Sequence, residues 1–363
     1  MGLFERFGNE YEEVAVFHDA ATDLHAIVAI HSTALGPALG GTRYYPYRSE
    51  DEALEDVLRL ARGMTYKSAI AGLDLGGGKA VILGDPATEK SEAQLRAYGR
   101  FLEGLGGRYI TAEDVGTTQA DMDTILKETG NVTGVSESLG GSGDPSAATA
   151  YGLWWAIKAV LDRLDGNREL AGRHIVVSGV GKVGTNLVRH LVEDRALVTV
   201  ADVEAAAVAR VVRDFDVRSV DVEKAHLTGC DVYAPCALGG VLNERTIPEL
   251  ACRAVAGSAN NQLATPEDGA RLADHGILYA PDFVVNAGGV INIAEERVGY
   301  RQERAYANVR RIFDTTAAVL SEADRSGVTP VVAAETRALD RIKQVGSLAR
   351  IRTFDRPGRR RSR

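Results

Sequence analysis

Residues 174–202, HIVVSGVGKVGTNLVRHLVEDRALVTVAD, decide the fold. An apolar strand from His174 to Val177 runs into Gly179, Gly181 and Gly184. A helix then runs from Lys182 to Leu191, and a second strand, Ala196 to Ala201, ends in Asp202. GxGxxG alone is a weak pattern, but this strand–glycine–helix–strand setting makes it the fingerprint of a dinucleotide site. The first glycine permits a tight turn, the second lets a pyrophosphate approach the backbone, and the third lets helix and strand pack. The helix N-terminus adds N–H donors and a favourable dipole. Val180, Lys182 and Val183 complete the loop. Asp202 suits a ribose hydroxyl and repels a 2′-phosphate. No Arg or Lys follows until Arg210, so NAD is expected over NADP.

Downstream, 231–234, 253–256 and 277–280 read as further strands, which implies a parallel sheet with helices on both faces. Upstream, 13–19 and 24–31 read as strands. Asp51 to Gly63 reads as a helix burying Leu54, Val57, Leu58 and Ala61, with Gly63 as its stop. Residues 79–84 read as a buried strand, Ser91 to Leu105 as a helix, and Tyr109 to Ala112 as a strand leading into Glu113-Asp114. The loop Gly140 to Ser146 is the expected domain boundary. Tyr151 to Leu164 reads as a helix and Arg301 to Arg325 as one long helical pattern broken by Pro330. A last helix, 331–345, could return to the first domain.

Composition narrows the class. The 363 residues are 45% hydrophobic and 25% charged with a net charge of −8, a soluble globular profile that does not attract nucleic acid. Cys230, Cys236 and Cys252 form no CxxC pair and fit a reducing, cytoplasmic setting. No signal peptide and no membrane helix are expected. The basic tail, 351–363, is expected to be disordered.

The densest chemical signal is Met64-Thr65-Tyr66-Lys67 followed by Leu73-Asp74-Leu75-Gly76-Gly77-Gly78-Lys79. Three glycines clear the approach to Lys79, which is expected to start a buried strand at a sheet end. Desolvation there favours a neutral amine, able to act as base or acid, and a second cation such as Lys67 would add to that. Asp114 ends another strand. By spacing alone, a turn aspartate is an equal reading. No metal is expected, since the histidines are scattered and no HExxH or Cys/His cluster occurs.

These motifs resemble the glutamate/leucine/phenylalanine/valine dehydrogenase family, most closely its leucine and valine members. The resemblance is carried by IHSTALGPALGGTR (30–43), the GGGK segment, TAEDVGTT (111–118), GVGKVG (179–184), YAPCALGG (233–240), AGSANNQL (256–263) and APDFVVNAGGVIN (280–292). It implies an α/β chain of two domains with a cleft between them. Residues 1–140 would form a substrate and dimerisation domain, completed by helices at about 326–350. Residues 141–325 would form the Rossmann NAD domain. The resemblance gives Lys67 the substrate carboxylate, Lys79 the water that attacks the imine, and Asp114 the proton of the amino group. Asn261, or its neighbour Asn260, would lie near substrate and nicotinamide. Thr149, Cys236, Ala237 and Asn286 would contact the cofactor. A homo-oligomer is implied.

The resemblance places the substrate side chain at Leu39, Gly40, Ala112, Val290 and Ile293, all apolar or small. Glutamate would lack a cationic partner there and phenylalanine would lack room, so valine, leucine and isoleucine fit best. One methylene discriminates by only about 1–3 kcal/mol, so activity on several aliphatic amino acids is expected. The alternatives are a phenylalanine dehydrogenase, separable by a substrate panel, and a non-catalytic NAD-binding regulator. The presence of both Lys79 and Asp114 argues against a regulator.

Overall fold

The computed structural model describes residues 3–7 and 10–350. The basic tail, 351–363, lies outside the described residues. A first sheet contains β1 (Glu13–Asp19), β2 (Leu24–Ser32), β3 (Ala38–Tyr45), β4 (Gly76–Leu83) and β5 (Tyr109–Glu113), in the order β1-β2-β4-β3-β5. β2 is antiparallel to β1 and β4, whereas β3 runs parallel to both its neighbours. Alternation along β2 explains why the whole strand reads as apolar. Ile27 and Ala29 pack with Val57, Leu58 and Ala61 of the helix Glu50–Ile70. Ala26, Val28 and Ile30 face the other way, onto Leu95, Tyr98 and Leu102 of the helix Glu92–Gly104.

Two expectations are corrected here. Gly63 does not stop the first long helix, which runs on to Ile70. Thr65, Ser68, Ala69 and Ile70 keep its inner face buried, and that tertiary burial outweighs one poor helix former. Likewise β4 begins at Gly76, not Lys79. Gly76, Gly77 and Gly78 are ladder residues paired with β2 and β3. A Cβ on Gly77 would lie 2.0 Å from the Thr65 backbone nitrogen, so the glycine lets helix and strand backbones touch. That contact brings the Lys67 turn over the strand that carries Lys79.

The second sheet contains β6 (His174–Ser178), β7 (Leu197–Ala201), β8 (Arg218–Ser219), β9 (Cys230–Pro235), β10 (Cys252–Val255) and β11 (Leu278–Tyr279). All are parallel, in the order β11-β10-β9-β6-β7-β8. This is the doubly wound Rossmann order, and its direction reverses between β6 and β9, where ligands of such sheets bind.

The C-terminal helices also differ from expectation. The pattern 301–325 is two helices, Gln302–Arg310 and Ile312–Ser326, with Arg311 at the break. Gly327, in the left-handed region at φ 64°, ends the second. Pro330 starts the next helix, Pro330–Gly346, and Thr329 Oγ1 caps it by accepting from the Val332 N–H at 3.4 Å. A proline in the first turn loses no hydrogen bond, because that N–H has no intrahelical partner. This helix packs on Glu50–Ile70, and Arg341 Nη2 donates to Gly72 O and Leu73 O, both at 3.1 Å, and to Asp74 Oδ1 at 2.9 Å. No helix among the described residues is long and apolar enough to cross a membrane.

Candidate active site

Residues around both sheets line a shared cleft of about 470 Å³. Lys67, Lys79, Asp114, Leu39, Gly40, Ala112, Asn261, Val290 and Ile293 all line it, as do Thr149, Val183, Asn260 and Asn286. Lys79 is buried in β4, and its Nζ stands 3.0 Å from Asp114 Oδ2. Asp114 follows β5, and its own N–H donates to Thr117 Oγ1 at 2.9 Å, which fixes the turn. Burial works to raise the Asp114 carboxyl, but Lys79 and Arg43 outweigh it and hold it below its ordinary value.

Lys67 is in the last turn of Glu50–Ile70. Here burial lowers the Lys67 ammonium to about 8, Asp282 works against that, and Lys79 adds to it. Lys79, in contrast, has its own carboxylate partner in Asp114. Lys67 Nζ reaches one weak acceptor, Asn260 Oδ1 at 3.5 Å. A partly desolvated ammonium facing a cleft suits a carboxylate brought by a ligand. Of the two asparagines, Asn260 is the one whose side chain bridges the halves of the cleft. Its Oδ1 also accepts from Asn286 Nδ2 at 2.9 Å. Asn261 holds its backbone at φ 53°, and its carbonyl accepts from Gly240 N–H at 2.8 Å.

Leu39, Ala112, Val290 and Ile293 belong to one buried apolar cluster, and Gly40 sits beside Leu39 in β3. These four side chains are apolar and offer a γ-carboxylate nothing to pair with.

The glycine loop lies at the crossover of the second sheet. Gly179, at φ 106°, follows β6, and a Cβ on Gly184 would stand 1.9 Å from its carbonyl oxygen. Gly181 caps the helix Lys182–Glu193 without a side-chain acceptor, and a Cβ there would meet nothing within 4 Å. The space above Gly181 and the open helix end thus fit a pyrophosphate. Asp202 follows β7, with Oδ2 accepting from Val180 N–H at 2.7 Å and Oδ1 from Glu204 N–H at 2.9 Å. Both oxygens keep lone pairs for a ribose. Cys236 and Ala237 follow β9 beside Gly179. Burial pushes the Cys236 thiol up. Lys182 turns outward to Asp144, at 2.7 Å, and Val183 lines the cleft. Asn286 Oδ1 is buried with no hydrogen-bond partner among the described residues, an acceptor free for a ligand donor.

Sequence reasoning missed Arg43, Asp56 and Asp282. Arg43 Nε donates to Asp114 Oδ2 at 3.0 Å and Nη1 to Asp56 Oδ2 at 2.7 Å. Asp282 lines the cleft and its carboxyl is raised by burial, with Lys67 working the other way. The only signal for these residues was their position inside the motifs 30–43 and 280–292, or, for Asp56, on the first long helix.

Comparisons with known proteins identify the family. Residues 12–131 match the family model described as Glu/Leu/Phe/Val dehydrogenase, dimerisation domain. Residues 140–220 and 206–348 match the glutamate/leucine/phenylalanine/valine dehydrogenase model. The chain is 52% identical to a leucine dehydrogenase of Geobacillus stearothermophilus, over 92% of this chain and 91% of that one. It is 51% identical to a valine dehydrogenase of Streptomyces virginiae, over 94% and 96%. The crystal structure of an L-tryptophan dehydrogenase from Nostoc punctiforme superposes with a TM-score of 0.82 at 42% identity, covering 94% of this chain and 98% of that one. The chain therefore belongs to the glutamate/leucine/phenylalanine/valine dehydrogenase family of amino-acid dehydrogenases.

Proposed function

We propose that the protein catalyses the reversible, NAD-dependent oxidative deamination of branched-chain aliphatic L-amino acids (valine, leucine and isoleucine) to 2-oxo acids and ammonia. The observation that carries the reading is the meeting of Lys67, Lys79 and Asp114 in one cleft with the apolar side chains of Leu39, Ala112, Val290 and Ile293. Bound NAD, held by the Gly179–Gly184 loop, Asp202, Thr149, Cys236, Ala237 and Asn286, would supply the hydride acceptor for the amino-acid Cα. The chain's own residues do the rest. Lys67 pairs with the substrate carboxylate, and Asn260 and Asn261 help fix its position, so that Cα is held in line. Asp114 takes a proton from the amino group and later returns one to the departing ammonia. Lys79, in its amine form, takes the proton from the water that attacks the imine carbon, while Asp114, 3.0 Å away, still holds the proton it took from the amino group.

Leu39, Gly40, Ala112, Val290 and Ile293 form the proposed side-chain pocket. We place the boundary between the two domains in the loop 140–146 and propose a cytoplasmic homo-oligomer. NADH formation with valine, leucine, isoleucine, phenylalanine and tryptophan, each with NAD and with NADP, tests the reading. The aliphatic substrates with NAD should give the highest kcat/KM. Preference for an aromatic substrate would overturn the pocket assignment, and preference for NADP would overturn the role of Asp202.

A further inference from the structure

Asp114 is gripped by two cations at a single oxygen. Lys79 Nζ and Arg43 Nε both stand 3.0 Å from Oδ2. Arg43 is itself clamped. Its Nη1 donates to Asp56 Oδ2 at 2.7 Å, where the Tyr47 hydroxyl also donates at 2.7 Å, while Asp56 Oδ1 accepts from Arg59 Nη2 at 2.8 Å. Asp56 sits on the same helix as Lys67, and Arg43 is in β3 between the strands that carry Lys79 and Asp114. Both cations meet the Asp114 side chain at Oδ2 and not at Oδ1.

We infer that Arg43 is a positioning residue for proton transfer: with Lys79 it fixes Oδ2 of Asp114 and leaves Oδ1 to exchange a proton with the substrate's amino group. This rests on the amino-acid reading above. The amino N–H bond breaks as Oδ1–H forms, and the acid returns that proton when ammonia leaves, so no further reactant is needed. The charged and titratable groups around the Asp114 carboxylate are Lys79 on β4, Arg43 on β3, Lys67 on the long helix, and Tyr109 and Glu113 on β5. Without Arg43, burial would be opposed at the carboxylate chiefly by Lys79, and the acid form would persist to higher pH.

The test is kcat against pH for the wild type, Arg43→Met and Arg43→Lys. Arg43→Met should move the acid limb to higher pH, with a loss of about tenfold or more on that limb and little change in the amino-acid KM. Arg43→Lys should recover part of the shift. A uniform loss at every pH, with the limb unmoved, would show a structural role only and overturn the inference. Asp56→Asn, which loosens Arg43 without removing it, should move the limb the same way by less, and decides the matter if Arg43→Met does not fold. A wild type inactive on amino acids would sink the proposed function itself, so the two failures are distinguishable.

Discussion

Lys67 and Lys79 share a residue type but sit in different fields. Lys79 is buried with a carboxylate 3.0 Å away, whereas Lys67 faces the cleft with an ammonium lowered to about 8. Lys67 must be charged to hold a carboxylate. Its lowered value means the charge is present below about 8 and lost as pH rises through it. The amino-acid KM should therefore rise above that pH, by up to about tenfold per pH unit, and initial rates against pH will show it. Lys67→Gln should raise KM at every pH and remove that dependence. Asp202→Ser should weaken NAD and narrow its advantage over NADP, measured as the ratio of kcat/KM, because a charged two-oxygen acceptor is replaced by one neutral hydroxyl. Sequence made the lysines, the glycine loop and Asp202 legible, since each stands in a local pattern. Arg43 was not legible as the partner of Asp114, nor Asp56 as the partner of Arg43, because only the pairing of β3 with β4 and β5 and the packing of the long helix on that sheet bring them together.

At the scale of the element, glycines carry much of the geometry and were also where local reading failed. Gly63 looked like a helix stop, yet the helix continues because its face stays buried as far as Ile70. Gly76 to Gly78 carry no side chains to alternate, so their strand character shows only in the ladder. The two sites should behave oppositely on mutation to alanine. Gly77→Ala would press a Cβ within 2.0 Å of Thr65 backbone, and should cost about 1–3 kcal/mol. It should also lower activity, because Lys67 and Lys79 lose their spacing. Gly63→Ala meets nothing within 4 Å, and should add about 0.5–1 kcal/mol. Urea unfolding midpoints of the two variants test both. A destabilising Gly63→Ala would mean the helix is not continuous through that point.

Over the whole molecule, the doubly wound sheet was legible because GxGxxG sits between two strands and ends in an acid. The N-terminal sheet was legible strand by strand, but its order was not, since β3 inserts between β4 and β5 by long-range pairing. The closing helix Pro330–Gly346 ties the chain's end to the first long helix through Arg341. Arg341→Ala should cost about 1–2 kcal/mol and raise the amino-acid KM, because the loop it binds follows the turn that carries Lys67. The claim on which the rest depends is that Lys79 transfers protons while the Rossmann sheet binds the dinucleotide independently. It is tested most directly by measuring Lys79→Ala for leucine turnover and, on the same sample, for NADH binding by fluorescence. Turnover should fall by about 10²–10⁴-fold with NADH affinity essentially unchanged, whereas turnover near the wild-type rate would contradict the mechanism.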